Sequence, residues 1–290
     1  MLKKEDFYIF YLMKAYIYET HLHTAEVSAC ASSAGADYVK AYMDAGYAGV
    51  IVTDHFFNGN TSVPQDLDWE TRVNLYCKGY ENAKAEADRI NAADPDVKSG
   101  KREPFQVFFG IEHNFDGDDY LLYGIEKDWL LKHPEIMEKD HAGLYELIHS
   151  AGGIVVHAHP FRRCSYITEI ALHPDTVDAV EIHNSGNDWD ENNCAARYAE
   201  EYHKPATAGT DLHDVRGFAG QDEQLPSGAV AFETRLSSVQ DYAERVKNGK
   251  CKPVMYSLEK GFEDVPLSVP PREAIWPEMK DFGTPVKLYK

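Results

Sequence analysis

The sequence predicts an α/β fold built on parallel strands. Strand-like and helix-like stretches alternate about seven times along the chain. One strand candidate, residues 48–53 (AGVIVT), is apolar without interruption, as strands covered on both faces are. Six strand candidates also run directly into His, Asp or Glu, the pattern expected where ligands gather beyond the carboxyl ends of parallel strands. An α/β barrel and a doubly wound sheet both satisfy these observations.

The elements follow in order. Residues 14–20 (KAYIYET) alternate and are aromatic-rich, which predicts a strand leading into His21 and His23. Residues 34–46 predict a helix with Tyr38, Val39, Tyr42 and Met43 on its apolar side and Gly46 as a stop. The apolar strand 48–53 ends at Asp54 and His55, and a polar loop follows at 57–67. Residues 68–90 predict a long helix capped by Asp68, within a helical insertion at about 56–104. A strand at 106–111 ends at Glu112, and a second strand-like piece at 120–125 is expected to pair locally as an excursion. A helix over 140–150 stops at Gly152-Gly153 and precedes strand 154–156, which leads to His157 and His159. Strand 177–180 ends at Glu181 and His183, a helix covers 192–203, and a short strand at 205–208 runs into Asp211 and His213. Strand 228–232 and helix 238–247 complete the alternation. Residues 1–13 read as an N-terminal extension, 14–250 as the body, and 251–290 as a tail wrapping it.

Composition narrows the function classes. The 290 residues include 29 basic and 48 acidic ones, a formal charge of −19, and no run of Lys or Arg forms a basic patch. Such a surface repels phosphate backbones, so no stable nucleic-acid binding is expected. Five scattered cysteines, none spaced Cys-x-x-Cys, argue against a disulfide framework or zinc ribbon and fit reduced thiols. The apolar part of the N-terminus is short and follows Glu5 and Asp6, unlike a signal peptide. No stretch approaches the ~20 apolar residues of a membrane span. A soluble, cytoplasmic protein is expected, with no sequence signal for its oligomeric state.

The strand ends carry the chemistry. Residues i and i+2 of a strand share a face, so His21 and His23 present two imidazoles side by side. His157/His159, Glu181/His183 and Asp211/His213 repeat that spacing, and mixed imidazole and carboxylate donors suit a divalent transition metal.

His21-Leu22-His23-Thr24, Thr53-Asp54-His55, Gly110-Ile111-Glu112, Ala158-His159-Pro160 and Gly209-Thr210-Asp211-Leu212-His213 occur in the order seen in the PHP (polymerase and histidinol phosphatase) family, which the chain resembles over roughly residues 14–235. The resemblance implies a distorted (β/α)7 barrel with its metal centre at the C-terminal ends of the strands. It implies two or three divalent ions (Zn2+, Mn2+ or Fe2+) and hydrolysis of a small phosphomonoester, of the histidinol-phosphate or nucleotide-phosphate type, by a metal-activated hydroxide. Alternatives are a phosphodiesterase or exonuclease-like hydrolase, an amide or lactone hydrolase, and a non-catalytic metal-binding module. By the same resemblance His21, His23, Glu112 and Asp211 hold a first ion, Glu112, His159 and His183 a second, and Glu26, His55 and His213 a third. Glu26 stands where many relatives have a histidine, and Asn184 is an alternative to His183.

Around these ligands, Asp54 is expected to orient a ligating imidazole by accepting its hydrogen bond. Arg162, just after His159-Pro160, is the first choice for gripping phosphate oxygens, and Arg216 the second. Asp211 joins Arg162 in the catalytic set, and His213 or a metal-bound water protonates the leaving alcohol. Neither a Walker A loop nor a dinucleotide fingerprint is present.

Overall fold

The computed structural model describes residues 15–115, 117–221, 224–269 and 284–289, so the expected extension at 1–13 lies outside the described residues. The strands are β1 (Tyr16–Leu22), β2 (Gly49–Val52), β3 (Gln106–Phe109), β4 (Ile111–Phe115), β5 (Asp118–Tyr123), β6 (Ile154–His157) and β7 (Ile170–Leu172). They continue with β8 (Ala179–Asn184), β9 (Ala206–Gly209), β10 (Ser227–Phe232), β11 (Lys252–Ser257), β12 (Gly261–Asp264) and β13 (Val286–Leu288). Six form one sheet in the order β12-β11-β10-β1-β2-β3, five form another in the order β4-β5-β6-β8-β9, and β13 pairs with β7.

This arrangement is α/β, but it overturns the expected (β/α)7 barrel: the described strands lie in mixed sheets and do not close into a barrel. Two local features account for the departure. β10 pairs antiparallel with β1, because a 3₁₀ turn at Val215–Gly220 stands between β9 and β10 in place of the crossover helix that usually joins parallel neighbours. β4 and β5 form an antiparallel hairpin, turning at Gly117 with φ of 104°. The strand expected at 106–111 is β3 in the first sheet, and the excursion expected to pair locally does so as β5, against a strand β4 that the sequence reading did not separate from β3.

The parallel expectation survives in parts. β1, β2 and β3 run parallel, as do β6, β8 and β9. β2 is buried along its whole length, as its apolar run requires. Helix Gly35–Asp44 buries Tyr38, Val39 and Tyr42 against Ile17, Val50 and Val52 of β1 and β2. Each such side chain contributes about 1.5–3 kcal/mol of burial free energy. The expected 68–90 helix is two, Trp69–Tyr76 and Lys78–Ala93, meeting at Cys77, and Asp68 caps the first by accepting from Thr71 N. The described parts of the tail contain three strands: β11 and β12 extend the first sheet as a hairpin, and β13 pairs with β7. Among the described residues no helix is long and apolar enough to cross a membrane.

Two contacts bring the large sheets together at the strand ends, the single bridges His55–Glu112 and Leu22–Leu212. Behind them runs a glycine seam. A Cβ on Gly228 of β10 would lie 2.3 Å from the Gly209 carbonyl oxygen, and one on Gly209 of β9 would lie 2.4 Å from His21 Cβ. The sheets approach this closely because both positions lack a side chain.

Candidate metal centre

β1 delivers His21 at its penultimate position, and His23 follows its end. Glu112 comes from β4 and Asp119 from the facing strand β5, while His55, His159, Asp211 and His213 stand just beyond β2, β6 and β9. Side-chain donors of His21, His23, Glu112 and Asp211 all lie within 4.8 Å of one another, and all four residues are buried. Two further groups meet the same limit: Glu112, Asp119 and His159 on one side, His23, His55 and His213 on the other. Glu112 belongs to two groups and His23 to two, so the three groups form one continuous centre.

Distances show how tight it is. His21 Nε2 is 3.0 Å from Glu112 Oε1, His23 Nε2 is 3.0 Å from Asp211 Oδ1, and His159 Nε2 is 3.2 Å from Glu112 Oε1. His55 Nδ1 approaches Glu112 Oε2 to 2.5 Å. Backbone strain accompanies this convergence: His159 and Asp211 have φ of 26° and 53°, in the left-handed region that costs a non-glycine residue about 1–3 kcal/mol.

The surrounding hydrogen bonds aim the imidazoles. His21 Nδ1 lies 3.1 Å from Glu181 Oε1, whose other oxygen accepts from His159 N and Asn184 Nδ2. With its Nδ1 proton held there, His21 turns the Nε2 lone pair to the centre. His23 Nδ1 lies 2.9 Å from Ser28 Oγ, and Ser28 donates to Asp54 Oδ1 at 2.7 Å. Since Ser28 spends its one hydroxyl proton on Asp54, His23 Nδ1 is the donor and Nε2 faces inward. His213 Nδ1 is 2.8 Å from the Asp211 carbonyl oxygen, which selects the same tautomer.

Electrostatics follow from packing. Burial works against charge on Glu112, but His55 first, and His21 with it, hold its carboxyl well below the usual range. Asp211 is likewise held well below against its burial, chiefly by Arg162. Burial and the cationic pressure of His213 and His55 push His23 well down, leaving it neutral, the form that binds metal. Burial, with Glu112 beside it, pushes Asp119 up to about 6. His23 Nε2 and Glu112 Oε2 are buried and make no aligned hydrogen bond. A divalent cation satisfies both orphaned atoms and compensates three converging carboxylates, so the donor set fits the implied metal.

Arg162 reaches the edge of this centre. Its guanidinium donates to Asn187 Oδ1, to Asn184 Oδ1 and, at 2.6 Å, to Asp211 Oδ2. With His55, Asp119, Asp211, His213 and the exposed ring of Tyr166 it lines a cavity of about 780 Å3.

Four expected residues stand elsewhere. Glu26 is not with His55 and His213: its carboxylate accepts from Gly35 N, at the start of helix Gly35–Asp44, and from Asn82 Nδ2. His183 is not with Glu112 and His159: its Nε2 lies 3.0 Å from the Pro226 carbonyl oxygen. A register shift between Glu181 and His183 breaks the strand alternation that would have put both on one face, and Glu181 alone points to the centre. Asp54 meets no imidazole directly; Ser28 stands between it and His23. Arg216 pairs with Asp214 on the surface.

Two residues of the centre had no place in the expected ligand set. Asp119 was legible through hairpin geometry, since it pairs with Asn114 and so shares a face with Glu112, two residues earlier. Cys30 lines the cavity beside His213 and His55, which bring its thiol down to about 6 against partial burial.

No protein-family model matches the chain, and no curated protein is similar to it in sequence. Its fold is similar to that of a two-domain protein from Bacteroides vulgatus described as containing a predicted PHP-like metal-dependent phosphoesterase. The TM-score is 0.51 at 9% identity, over 82% of this chain and 64% of that one. The chain thus spans less than two thirds of that protein's length. Weaker similarity extends to PsfC from Pseudomonas syringae (TM-score 0.48, 16% identity, 80% and 88% of the chains). An amidohydrolase from Chromobacterium violaceum also matches (TM-score 0.43, 11% identity, 68% and 87%). At these identities the likeness is one of fold.

Proposed function

We propose that this chain is a PHP-type, divalent-cation-dependent hydrolase acting on a small phosphomonoester. The observation that carries the proposal is the buried convergence of His21, His23, Glu112 and Asp211, continuous with two further donor groups and bordered by Arg162. A cation bound there supplies Lewis acidity, lowering the pKa of water from about 16 towards about 7 and drawing charge from phosphoryl oxygens.

The chain's own residues do the rest. Arg162 lines the cavity and has guanidinium protons beyond those given to Asn184, Asn187 and Asp211, which this reading assigns as a fork for phosphate oxygens. Asn184 and Asn187 hold that fork rigid, so little entropy is lost when the anion arrives. Glu181 and Ser28 keep His21 and His23 in the tautomer that offers Nε2. In this reading His213 is a donor of the outer group, which takes it out of the role of acid for the leaving alcohol. The cavity volume of about 780 Å3 is that of a small-molecule site, and the net charge of −19 disfavours a long polyanion.

The test is phosphate release from a sugar phosphate and a nucleoside monophosphate, compared with hydrolysis of a phosphodiester and a short single-stranded oligonucleotide, in the presence of Mn2+ or Zn2+. The monoesters are expected to turn over, and His159→Ala or Asp211→Ala to abolish turnover and reduce bound metal. Full activity in both variants refutes the reading, and preference for the oligonucleotide moves it to the phosphodiesterase class.

A further inference from the structure

We infer that the last strand, β13, is a strap: by docking on β7 it fixes the cavity wall at Tyr166 and so sets how firmly a substrate is held. The inference adds a positioning element to the function proposed above and rests on that reading only for its kinetic part.

Residues 160–169 form neither helix nor strand, yet they carry two cavity residues, Arg162 and Tyr166. The two are held differently. Arg162 is tied to the centre itself by Asp211, Asn184 and Asn187. Tyr166 stands 65% exposed, and its place follows from what holds Ile167 behind it. Ile167 is buried in one apolar cluster with Phe161, Ile170 and Leu172. Just beyond it the chain enters β7, whose one strand partner among the described residues is β13. A strand of three residues has little stability without a partner and a packed face.

β13 supplies both. The two strands run parallel with Val286 opposite Ile170 and Leu288 opposite Leu172, and Val286 and Leu288 pack against the cluster that holds Phe161 and Ile167. Ile170 N donates to Pro285 O at 2.8 Å, and Tyr289 N donates to Leu172 O at 2.9 Å, one bond at each end of β7. Tyr289 then grips the residues on either side of β7. Its hydroxyl donates to Glu169 Oε1 at 2.6 Å, and its ring stacks 4.6 Å from that of His173. From the other direction the β4–β5 turn gives β7 a side-chain bond, Ala171 N to Asp118 Oδ2, so the backbone ladder and the apolar cover are what β13 adds.

Releasing the strap should therefore loosen the wall at Tyr166 and leave the metal ligands and Arg162 in place. A wall in its binding geometry a tenth of the time weakens apparent affinity about tenfold. Loss of that kind raises KM and spares kcat.

The test uses the full-length protein with Val286→Asp and Leu288→Asp together, which sets two charges against the apolar cluster, and Val286→Ile with Leu288→Met as the conservative pair. Hydrogen exchange read by mass spectrometry should quicken at 161–172 and 284–289 in the Asp pair and stay unchanged at 16–23 and 106–115. KM for a phosphomonoester should rise about tenfold with kcat preserved, and the conservative pair should match wild type. Unchanged exchange at 161–169, exchange that quickens throughout the chain, or an unchanged KM over a loosened loop each overturn the inference. So does a tail that exchanges freely in wild type, or one whose protection survives both charges. If wild type hydrolyses no phosphomonoester, the proposed function falls, while the exchange data still decide whether β13 is a strap.

Discussion

Replacing Glu112 by Gln tests the centre at the point where its parts overlap. Glu112 belongs to two of the three donor groups, so one substitution should silence two positions and spare the outer one. The amide also removes the partner of His21 and His55, and breaking a buried pair costs about 3–5 kcal/mol, so absolute stability is the wrong readout. The right one is the rise in Tm when Mn2+ or Zn2+ is added. A ligand at a hundred times its Kd stabilises by about 2.7 kcal/mol, so two positions contribute about 5.4 kcal/mol. With 290 residues and about 2.1 cal/mol/K of unfolding entropy per residue, ΔS is about 0.6 kcal/mol/K. Differential scanning calorimetry should therefore show about 9 °C of metal-induced shift that Glu112→Gln lacks. A variant that keeps the whole shift would mean that Glu112 is an ordinary buried ion-pair partner, and the shared-ligand argument would fail.

Two further outcomes follow from residues around the centre. Glu26→Ala should cost about 1 kcal/mol, from loss of a carboxylate at a helix N-terminus, and leave metal content unchanged by elemental analysis; a lost equivalent would return Glu26 to the ligand set. Glu19, buried beneath His21, is pushed by that burial from 4.5 up to about 7. The folded state thus holds a proton that the unfolded state has released. The resulting stabilisation, about 3 kcal/mol in all, is fully present below pH 4.5 and lost as pH rises through 7. Urea midpoints of metal-free wild type should fall between pH 5 and 8 more steeply than those of Glu19→Gln, and parallel slopes would contradict this.

The sequence disclosed more of the site's parts than of their connections. The alternating and apolar runs located β1, β2, β3, β6, β8, β9 and β10 to within a few residues, because burial on one or both faces writes its period into the chain. Closure was not legible there. Whether strands close depends on direction of pairing, and β10 beside β1 is antiparallel for reasons set by the connection before it. The local pairing of β5 was expected but its partner β4 was not, and missing that partner also meant missing Asp119. His183 illustrates the limit of period-two reasoning, since one register shift in β8 turned it to Pro226. Cys30 carried no motif at all; His55 and His213, which line the cavity with it, are distant in sequence, and the fold alone brings them to one wall.

The glycine seam behind His21 bears on how this protein can change. Gly228 touches Gly209, and Gly209 touches both His21 and Glu181, so an added methyl at either glycine displaces a backbone or a residue of the centre. Neither position can drift by single substitutions, and a compensating change would have to shift two sheets at once. The opposite wall is permissive: Asn58, Asn60 and Tyr166 line the cavity from loops, where a new side chain meets solvent. Variation in what the cavity accepts is therefore confined to its rim, while its floor is inherited as a unit. A library meant to redirect specificity should be built on those loop positions and should leave the seam alone.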